Sequence, residues 1–279
     1  MKPPLPATRS MPRRPYTFDD LLAAYAALGV AAGRVVYVTA DLTPLGAFAD
    51  MSRREAVLEA HFRALTRLLG PTGTLAVGAG STNLCNTDIP FDPATTPAHG
   101  VGVFSEWVRK QPGARRSFHP FVSYAAVGAR AEEITAKVSR HAYGPESPEG
   151  RMIALDGLAI SIGLFPRHTC STVHHVEHLM AVPYRYTKEF VHPVAREGAV
   201  VREPFYMYVW YRDCGIRRSN TKHIFRRLEG TDLIAEAAVG AGSIWSYSMR
   251  RFVDAVVPLF IENMYIWCEE PPATRPWRS

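Results

Sequence analysis

The segment from Ser171 to His178 holds three histidines and a carboxylate within eight residues. If the segment is helical, His174, Glu177 and His178 fall at positions i, i+3 and i+4 and project from one face. Two imidazoles at this spacing can chelate one Zn²⁺ with the glutamate as general base, the H-x-x-E-H pattern of a zinc peptidase. A third ligand would come from downstream, and the candidates are Glu229, Asp232 and Glu236. The alternative is that His175 and His178 are ordinary residues on the helix surface.

Cys170 directly precedes this segment and raises the possibility of a thiol nucleophile with His174 as its base. A single cysteine at the start of a helix is more often a buried packing residue. We therefore favour a packing role for Cys170.

A second distinctive run, Arg115 to Ser123, places two guanidinium groups, a hydroxyl and an imidazole before an apolar strand. Adjacent arginines followed by Ser117 suit phosphate recognition, because a guanidinium offers a bidentate fork to phosphate oxygens. The simpler interpretation of this feature alone is a solvated arginine pair on a loop.

The chain has 279 residues and a net charge of +6. Its pI is about 9.2. This balance suits ligands that carry phosphates and disfavours a polycationic substrate, since like charges repel. The basic residues lack a recognised nucleic-acid-binding motif, and no stretch reaches the roughly 18 apolar residues of a membrane span. The four cysteines follow no C-x-x-C pattern, as in a cytoplasmic protein with reduced thiols. We predict a cytoplasmic protein with neither a nucleic-acid nor a membrane partner.

Helix and strand patterns alternate through the first two thirds of the chain. Helices are predicted at 18–29, 52–70, 103–110, 131–140 and 173–180, and strands at 34–38, 74–77, 122–127 and 158–162. Thr17 is the expected cap of the first helix, and Ser52 with Glu55 forms a capping-box pattern before the second. The last third is less regular, with a strand at 205–211 and helices at 221–228 and 246–256. The alternation is typical of a layered α/β fold with a parallel or mixed sheet.

The domain organisation is predicted to be simple. Residues 1–16 are rich in proline and arginine and lack the apolar core of a secretory signal, so we expect a flexible N-terminal tail. No linker or internal repeat interrupts residues 17–279, which we predict to form a single domain.

Several short motifs occur in a fixed order between about Thr17 and Glu189. They are GPTGTL (70–75), PFDPATTP (90–97), GVFSE (102–106), RSFHP (116–120), SP (147–148), STVHHVE (171–177) and VPYR (182–185). Each is short, but the ordered set resembles the aminoglycoside 3-N-acetyltransferase (antibiotic acetyltransferase) family. The resemblance implies a layered α/β/α fold distinct from the GNAT acetyltransferases. It also implies a CoA-dependent N-acyltransferase that uses acyl-CoA, such as acetyl-CoA, as co-substrate and no metal.

Matching motif positions makes His174 the catalytic histidine and Glu106 the carboxylate that supports it, with Glu177 orienting the helix or the histidine. The resemblance places the loop after the first strand and the RSFHP segment near CoA. The CoA-binding residues are accordingly predicted to be Thr39, Asp41, Leu42, Arg116, Ser117, His119 and Ser123. We assign substrate contacts to Asp92, Asp213, Arg217 and Arg218.

These residue types fit that chemistry. An amine arrives largely protonated, so a base must remove a proton before the nitrogen can attack a thioester, and histidine is suited to this at neutral pH. A carboxylate would fix the tautomer of the imidazole and stabilise its charged form. Direct transfer between two bound substrates requires no covalent enzyme intermediate, so Cys170 is dispensable on this interpretation.

Two departures from the family's resistance enzymes affect the expected substrate. Residues 38–42 read VTADL, with Thr39 and Asp41 where those enzymes usually have histidine and serine, so the CoA-side loop is expected to differ. Between Phe205 and Leu228 the only acid is Asp213, against six arginines and lysines. If this segment borders the acceptor site rather than forming a solvated basic helix, it favours an anionic acceptor. We predict a small-molecule amine acceptor, preferably a nucleotide-linked amino sugar, with an aminoglycoside as the alternative; an oligomer is possible.

Overall fold

The computed structural model describes residues 14–53, 55–219 and 221–278. Within them the helices are α1 (Phe18–Ala27), α2 (Ala56–Leu69), α3 (Val103–Arg109), α4 (Ala131–Thr135), α5 (Pro148–Ala154), α6 (Thr172–Leu179), α7 (Lys222–Leu228) and α8 (Met249–Glu262). The strands are β1 (Val35–Ala40), β2 (Thr74–Gly78), β3 (Arg115–Arg116), β4 (Tyr124–Gly128), β5 (Leu158–Ile162), β6 (Arg185–Arg196), β7 (Ala199–Trp210), β8 (Ala235–Val239) and β9 (Gly242–Ser248). None of the helices in these ranges is long and apolar enough to cross a membrane.

Local sequence explains the ends of the first two helices. Thr17 caps α1 as predicted: its side chain accepts a hydrogen bond from the Asp20 amide, and the Asp20 carboxylate accepts one from the Thr17 amide. Helix α2 ends at Gly70, whose φ of 62° lies in the left-handed region that glycine adopts without strain.

The central sheet of the described residues has seven strands in the order β3-β4-β2-β1-β5-β9-β8. Strand β1 pairs in parallel with β2 on one side and β5 on the other, and the remaining pairs are antiparallel. The sheet is therefore mixed, which is one of the two arrangements predicted from the sequence.

Helices cover both faces of this sheet. Val36 and Val38 of β1 pack with α1, α2 and α3 in one apolar core, whereas Val35 and Tyr37 of the same strand pack with α4 to α8 in another. Successive side chains of a strand point to opposite faces, so one buried strand serves both cores. The predicted layered α/β/α fold is confirmed.

The β6-β7 hairpin forms a separate two-stranded sheet that the sequence did not predict as a pair. It docks through Val194 and Phe205, which pack with Phe91 and Phe121 in a small third core. At the other end of the hairpin, Arg185 pairs with Trp210, and this end adjoins α6.

Several predicted boundaries were wrong. The helix expected at 131–140 ends at Thr135, because the backbone turns extended at Ala136 and left-handed at Lys137. The helix expected at 246–256 begins only at Met249, because residues 246–248 pair with β5 and complete β9. The predicted capping box is not formed, since Glu55 occupies the cap position of α2 without a side-chain hydrogen bond.

The predicted tail is too long by at least its last residue. Tyr16 is 1% exposed, donates its backbone N–H to the Ala47 carbonyl and packs against Phe48. Its hydroxyl contacts His61 Nε2 at 3.2 Å, which ties it to α2. Residues 1–13 of the predicted tail lie outside the described residues.

Candidate active site

The candidate site lies near the carboxyl ends of the parallel strands. Strands β2 and β5 flank β1, so the chain passes to opposite sides of β1 at this edge, the position where open α/β sheets characteristically form ligand crevices. Helix α6 follows β5 after a short turn at Pro166–His168 and carries the histidine cluster. The fold therefore places the histidine cluster at the edge of the sheet where ligand crevices characteristically form.

His174 lies in the first turn of α6 and is held by a carboxylate of the same helix. Its Nδ1 is 2.8 Å from Oε2 of Glu177, three residues later. The His174 side chain is 28% exposed, whereas that of Glu177 is fully buried. The carboxylate thus anchors the imidazole from the protein interior while part of the ring remains accessible.

Glu177 is itself fixed by two further donors. Its Oε1 accepts hydrogen bonds from the Tyr184 hydroxyl at 2.9 Å and from Arg185 Nε at 3.0 Å. Arg185 Nη2 lies 2.9 Å from Oε2, which completes a bidentate fork. A buried carboxylate with this many donors has a favourable environment for its charge.

Arg185 is locked between two aromatic rings. Its guanidinium lies over Trp210 at 4.5 Å and over Trp267 at 4.8 Å, and its Nη1 donates to the Tyr208 carbonyl. The Trp267 ring also meets the His174 ring edge-on at 4.9 Å. Arg185 therefore connects the hairpin to helix α6.

The contacts around His174 assign its tautomer. Arg185 Nη2 also lies 3.2 Å from His174 Nδ1, but a guanidinium can only donate, so Nδ1 cannot both accept from Arg185 and donate to Glu177. The contact with Glu177 is shorter, and a carboxylate is a strong acceptor, so we assign the Nδ1 proton to the Glu177 hydrogen bond. This leaves Nε2 as the basic nitrogen.

A cleft of about 300 Å³ opens beside His174. Its lining is formed by Arg167, His168, Cys170, Val173, His174, Arg218, Thr221 and Trp267. A larger cleft of about 860 Å³ lies elsewhere, by Arg109 and Arg116. The smaller cleft is the one that contains a histidine held by a buried carboxylate, so we take it as the candidate site.

The predicted pairing of His174 with Glu106 is wrong. Helix α3, which carries Glu106, packs in the core on the opposite face of the sheet from α6. Both Glu106 oxygens are engaged by Arg109 at 2.8 Å, and the backbone amide of Ala98 is a further donor. The carboxylate that supports His174 is Glu177, because the i, i+3 spacing brings both side chains to one face of α6.

Four predicted CoA-binding residues form hydrogen bonds within the chain, and their assignment to CoA stays a prediction. Arg116 donates to Ser123 and Ser81 and to the carbonyls of Ala79 and Thr96. Ser117, His119 and Ser123 are all at most 2% exposed.

Each of these buried side chains has a partner in the chain. Ser117 Oγ accepts from the Tyr124 amide, Ser123 Oγ donates to the Ala79 carbonyl, and His119 Nδ1 accepts from two backbone amides. Burial lowers the pKa of His119 to about 4, so it is neutral at pH 7. These residues brace the ends of β2 and β4.

The predicted CoA-binding residues after β1 are more accessible. Thr39, Asp41 and Leu42 are partly exposed at the carboxyl end of that strand. Thr39 Oγ1 is 3.5 Å from Ser161 Oγ on β5, and Asp41 accepts a hydrogen bond from the Thr43 amide. Ser161 in turn contacts Thr169 at 2.6 Å, which connects this loop to the segment before α6. Their assignment to CoA stays a prediction.

The predicted substrate-binding residues are dispersed. Asp92 caps its own turn through Ala94 and Thr95, and Asp213 is an exposed residue with a φ of 61°. Arg217 is paired with Glu270. Arg218, predicted together with them from the sequence, is the member of this set that lines the cleft with His174.

The zinc interpretation is not supported by the geometry of its residues. The Glu177 carboxylate is occupied by Tyr184 and Arg185, and the His178 ring packs 4.4 Å from the ring of His141. In the described parts of the chain, no group of three or more His, Cys, Asp or Glu residues is arranged to hold a metal ion.

Cys170 lines the cleft but is buried, and its sulfur accepts a hydrogen bond from the Tyr247 hydroxyl. Burial raises the pKa of the Cys170 thiol to about 12. A thiol with such a pKa is a poor nucleophile near neutrality, because the thiolate is the reactive form.

Sequence reasoning missed two residues beneath the site. Arg185 stood in the VPYR motif without an assigned role. Glu149 in α5 is fully buried, accepts hydrogen bonds from Ser171 and Tyr124, and has its pKa raised by burial. The SP motif before α5 marked that helix, but nothing in the sequence connected its glutamate to α6.

Comparison with known proteins places the chain in a family. The family model described as aminoglycoside 3-N-acetyltransferase matches residues 38–261. The aminoglycoside N(3)-acetyltransferase III of Pseudomonas aeruginosa is 31% identical over 204 residues, which cover 67% of this chain and 73% of that protein.

Solved structures show the same fold. The aminoglycoside acetyltransferase AAC(3)-IVa apoenzyme superposes with a TM-score of 0.74 at 25% identity, covering 93% of each chain. A mutant of AAC(3)-IVa in complex with a gentamicin gives a TM-score of 0.75 at 25% identity, covering 94% of this chain and 95% of that chain. The chain therefore belongs to the aminoglycoside 3-N-acetyltransferase family and is an acyltransferase.

Proposed function

We propose that this protein transfers an acetyl group from acetyl-CoA directly to the amino group of an amino sugar, with His174 as general base. The observation that carries the proposal is the buried Glu177 holding Nδ1 of a partly exposed His174, which leaves Nε2 as the basic nitrogen. Membership of an acetyltransferase family supports the reaction class.

In the proposed reaction, the acceptor's ammonium group first loses one proton to solvent, and Nε2 of His174 then accepts a second proton from the neutral amine as its nitrogen attacks the thioester carbonyl. The new carbon–nitrogen bond forms while the carbon–sulfur bond breaks. The departing CoA thiolate takes the proton back from the imidazolium, so the products are an amide and CoA. Glu177 stabilises the imidazolium in between, because its carboxylate remains hydrogen-bonded to Nδ1.

The first candidate acceptor is an aminoglycoside. The relatives named above are aminoglycoside acetyltransferases, and a mutant of one of them has been solved with a gentamicin. Aminoglycosides are therefore the class of amine to assay first.

A nucleotide-linked amino sugar is a second candidate, and one observation favours it. The cleft beside His174 is lined by Arg167 and Arg218, and its described lining contains no aspartate or glutamate. Such a lining offers a polycationic acceptor no electrostatic attraction, whereas it attracts an acceptor that carries a phosphate.

A cytoplasmic location is part of the proposal. Cys85, Cys170, Cys214 and Cys268 are all free thiols, as expected in a reducing compartment.

An acceptor screen tests the function. Thiol release from acetyl-CoA is measured with gentamicin, with an uncharged amino sugar and with a nucleotide-linked amino sugar, and each product is identified by mass spectrometry. We expect stoichiometric acetylation of at least one amine. Hydrolysis of acetyl-CoA without any acetylated amine would contradict the proposal.

A further inference from the structure

Two arginines line the cleft beside His174 without an acidic partner. Arg167 and Arg218 are both exposed. In the described residues, no carboxylate lies within ion-pair distance of either guanidinium. The side-chain contact of Arg167 is with the neighbouring His168 ring, at 3.2 Å.

Some cations of the basic segment between Phe205 and Leu228 have a carboxylate partner and others do not. Arg217, adjacent to Arg218, pairs with Glu270, and Arg227 pairs with Glu262 at 2.9 Å. In the 860 Å³ cleft, Arg109 is bound by Glu106 and Arg116 by backbone and hydroxyl oxygens. Arg167 and Arg218 are distinguished by lining one cleft together with His174 while having no carboxylate partner among the described residues.

The backbones that carry the two arginines are linked to the site. The Arg167 carbonyl accepts a hydrogen bond from the Thr221 hydroxyl at 2.7 Å, which joins the turn before α6 to the turn before α7. Arg218 forms a backbone bridge with Cys268, and the next residue, Ser219, donates its amide to the Trp267 carbonyl.

Trp267 in turn contacts the His174 ring. Both arginines are therefore carried on backbone that is positioned relative to His174, so the backbone needs little ordering when a ligand arrives.

We propose that Arg167 and Arg218 form a subsite for a phosphoryl group within the candidate active site. Two guanidinium groups match the charge of a phosphoryl dianion and offer it bidentate hydrogen bonds. The inference deepens the proposed function and rests on it for the identity of the site, but the subsite can be tested without turnover.

The phosphoryl group has two possible sources in an acyl-CoA-dependent reaction. It belongs either to acetyl-CoA or to the acceptor, as in a sugar phosphate or nucleotide-linked sugar. The phosphates of acetyl-CoA lie at the far end of the pantetheine arm from the thioester, whereas a phosphate on a small acceptor lies close to its amine. Kinetic competition distinguishes these sources.

The binding experiment uses inorganic pyrophosphate as probe and isothermal titration calorimetry as readout. Arg167→Gln, Arg218→Gln and the double variant are compared with Arg227→Gln, which removes a charge of the same basic segment outside the cleft lining. Because each cleft variant loses charge-assisted hydrogen bonds to the probe, it is expected to weaken binding roughly tenfold or more. Arg227→Gln is expected to bind as the unmodified protein does.

Equal pyrophosphate affinity in the double variant and the unmodified protein, or no binding by the unmodified protein, would overturn the subsite. Loss of affinity in Arg227→Gln equal to that in Arg218→Gln would also overturn it, since the effect would then be general electrostatics. Because this readout needs no turnover, it separates failure of the subsite from failure of the proposed acetyl transfer.

Steady-state kinetics then identifies the source. If the phosphoryl group belongs to the donor, Arg218→Gln raises the KM for acetyl-CoA about tenfold and leaves that for S-acetylpantetheine unchanged. If it belongs to the acceptor, the variant raises the KM for a phosphorylated amino sugar and leaves that for its unphosphorylated form unchanged. Unchanged KM values for all four substrates would contradict the proposal.

Discussion

His174 Nδ1 and Glu177 Oε2 lie 2.8 Å apart on adjacent turns of one helix, with the carboxylate fully buried. The same carboxylate forms an ion pair with Arg185, whose guanidinium lies between the Trp210 and Trp267 rings. The orientation of the histidine is thus determined by packing between α6, the β6-β7 hairpin and the C-terminal segment, rather than by α6 alone.

Matched variants distinguish between Glu177 and Glu106 as the carboxylate that supports His174. Glu177→Gln is expected to lower kcat roughly 100-fold or more, because it removes the acceptor that fixes the Nδ1 proton and stabilises the imidazolium. Glu106→Gln removes an ion pair with Arg109 on the other face of the sheet and should change kcat less than about threefold. Steady-state kinetics checks both, and a larger kcat loss in Glu106→Gln than in Glu177→Gln would reverse the assignment.

Arg185 is expected to stabilise the fold as well as the site. Arg185→Lys keeps the charge but loses the guanidinium fork to Glu177 and the stacking between two indoles. We expect its melting temperature to fall by roughly 5 °C or more, since charge-assisted hydrogen bonds contribute about 1.5–3 kcal/mol each. The control is Arg227→Lys, whose exposed pair with Glu262 predicts a shift near zero. Equal melting temperatures for the two variants would contradict this role.

The Cys170 thiol is expected to react slowly with alkylating agents although it lines the active-site cleft. Its pKa, raised by burial to about 12, keeps the thiol protonated at pH 8, so alkylation by iodoacetamide should be far slower than that of an exposed thiol. Cys170→Ala should retain turnover within about a factor of two. Rapid labelling at Cys170 with parallel loss of activity, measured by peptide mapping, would revive the nucleophile interpretation.

Acid destabilisation is expected to involve His61. This residue is fully buried between the Tyr16 and Tyr25 hydroxyls, and burial lowers its pKa from 6.5 to about 3. Below pH 6.5 the unfolded chain binds a proton at this histidine that the folded chain does not, so stability falls as the pH decreases from about 6.5 to about 3.

His61→Gln should therefore flatten the slope of unfolding free energy against pH in this window, at a limiting slope of about 1.4 kcal/mol per pH unit. Urea unfolding at several pH values measures the slope. The exposed His99→Gln serves as the control and should leave the slope unchanged. A slope that is the same in His61→Gln as in the unmodified protein would contradict the expectation.

The regular part of the fold was predictable because its signals are local. Capping at Thr17, the apolar periodicity of α2 and the apolar runs of β1, β2 and β5 lie within single elements. The β6-β7 hairpin was not predictable in the same way. Its strands mix charged, polar and aromatic residues without a regular period, and packing against Phe91 and Phe121 determines which side is buried.

The same distinction between local signals and long-range packing applies to the candidate site. His174 was found from the order of the motifs, but its partner was misassigned to Glu106 because the family motif carried no information on which face of the sheet α3 would occupy. The helical spacing of His174 and Glu177 was a correct local signal, which the sequence interpretation assigned either to zinc binding or to orientation of the helix or the histidine. The environment of Arg185 depends on Trp267, 82 positions later in the chain, and no local pattern encodes it.

The most direct test of the proposed mechanism compares His174→Gln with the unmodified protein in two measurements: acetyl transfer to the best acceptor from the screen, and acetyl-CoA binding by calorimetry. We predict that turnover falls by roughly 1,000-fold or more while acetyl-CoA affinity changes less than about threefold, because His174 acts on the proton of the amine. Unimpaired turnover in His174→Gln would contradict the general-base assignment on which the proposed mechanism depends.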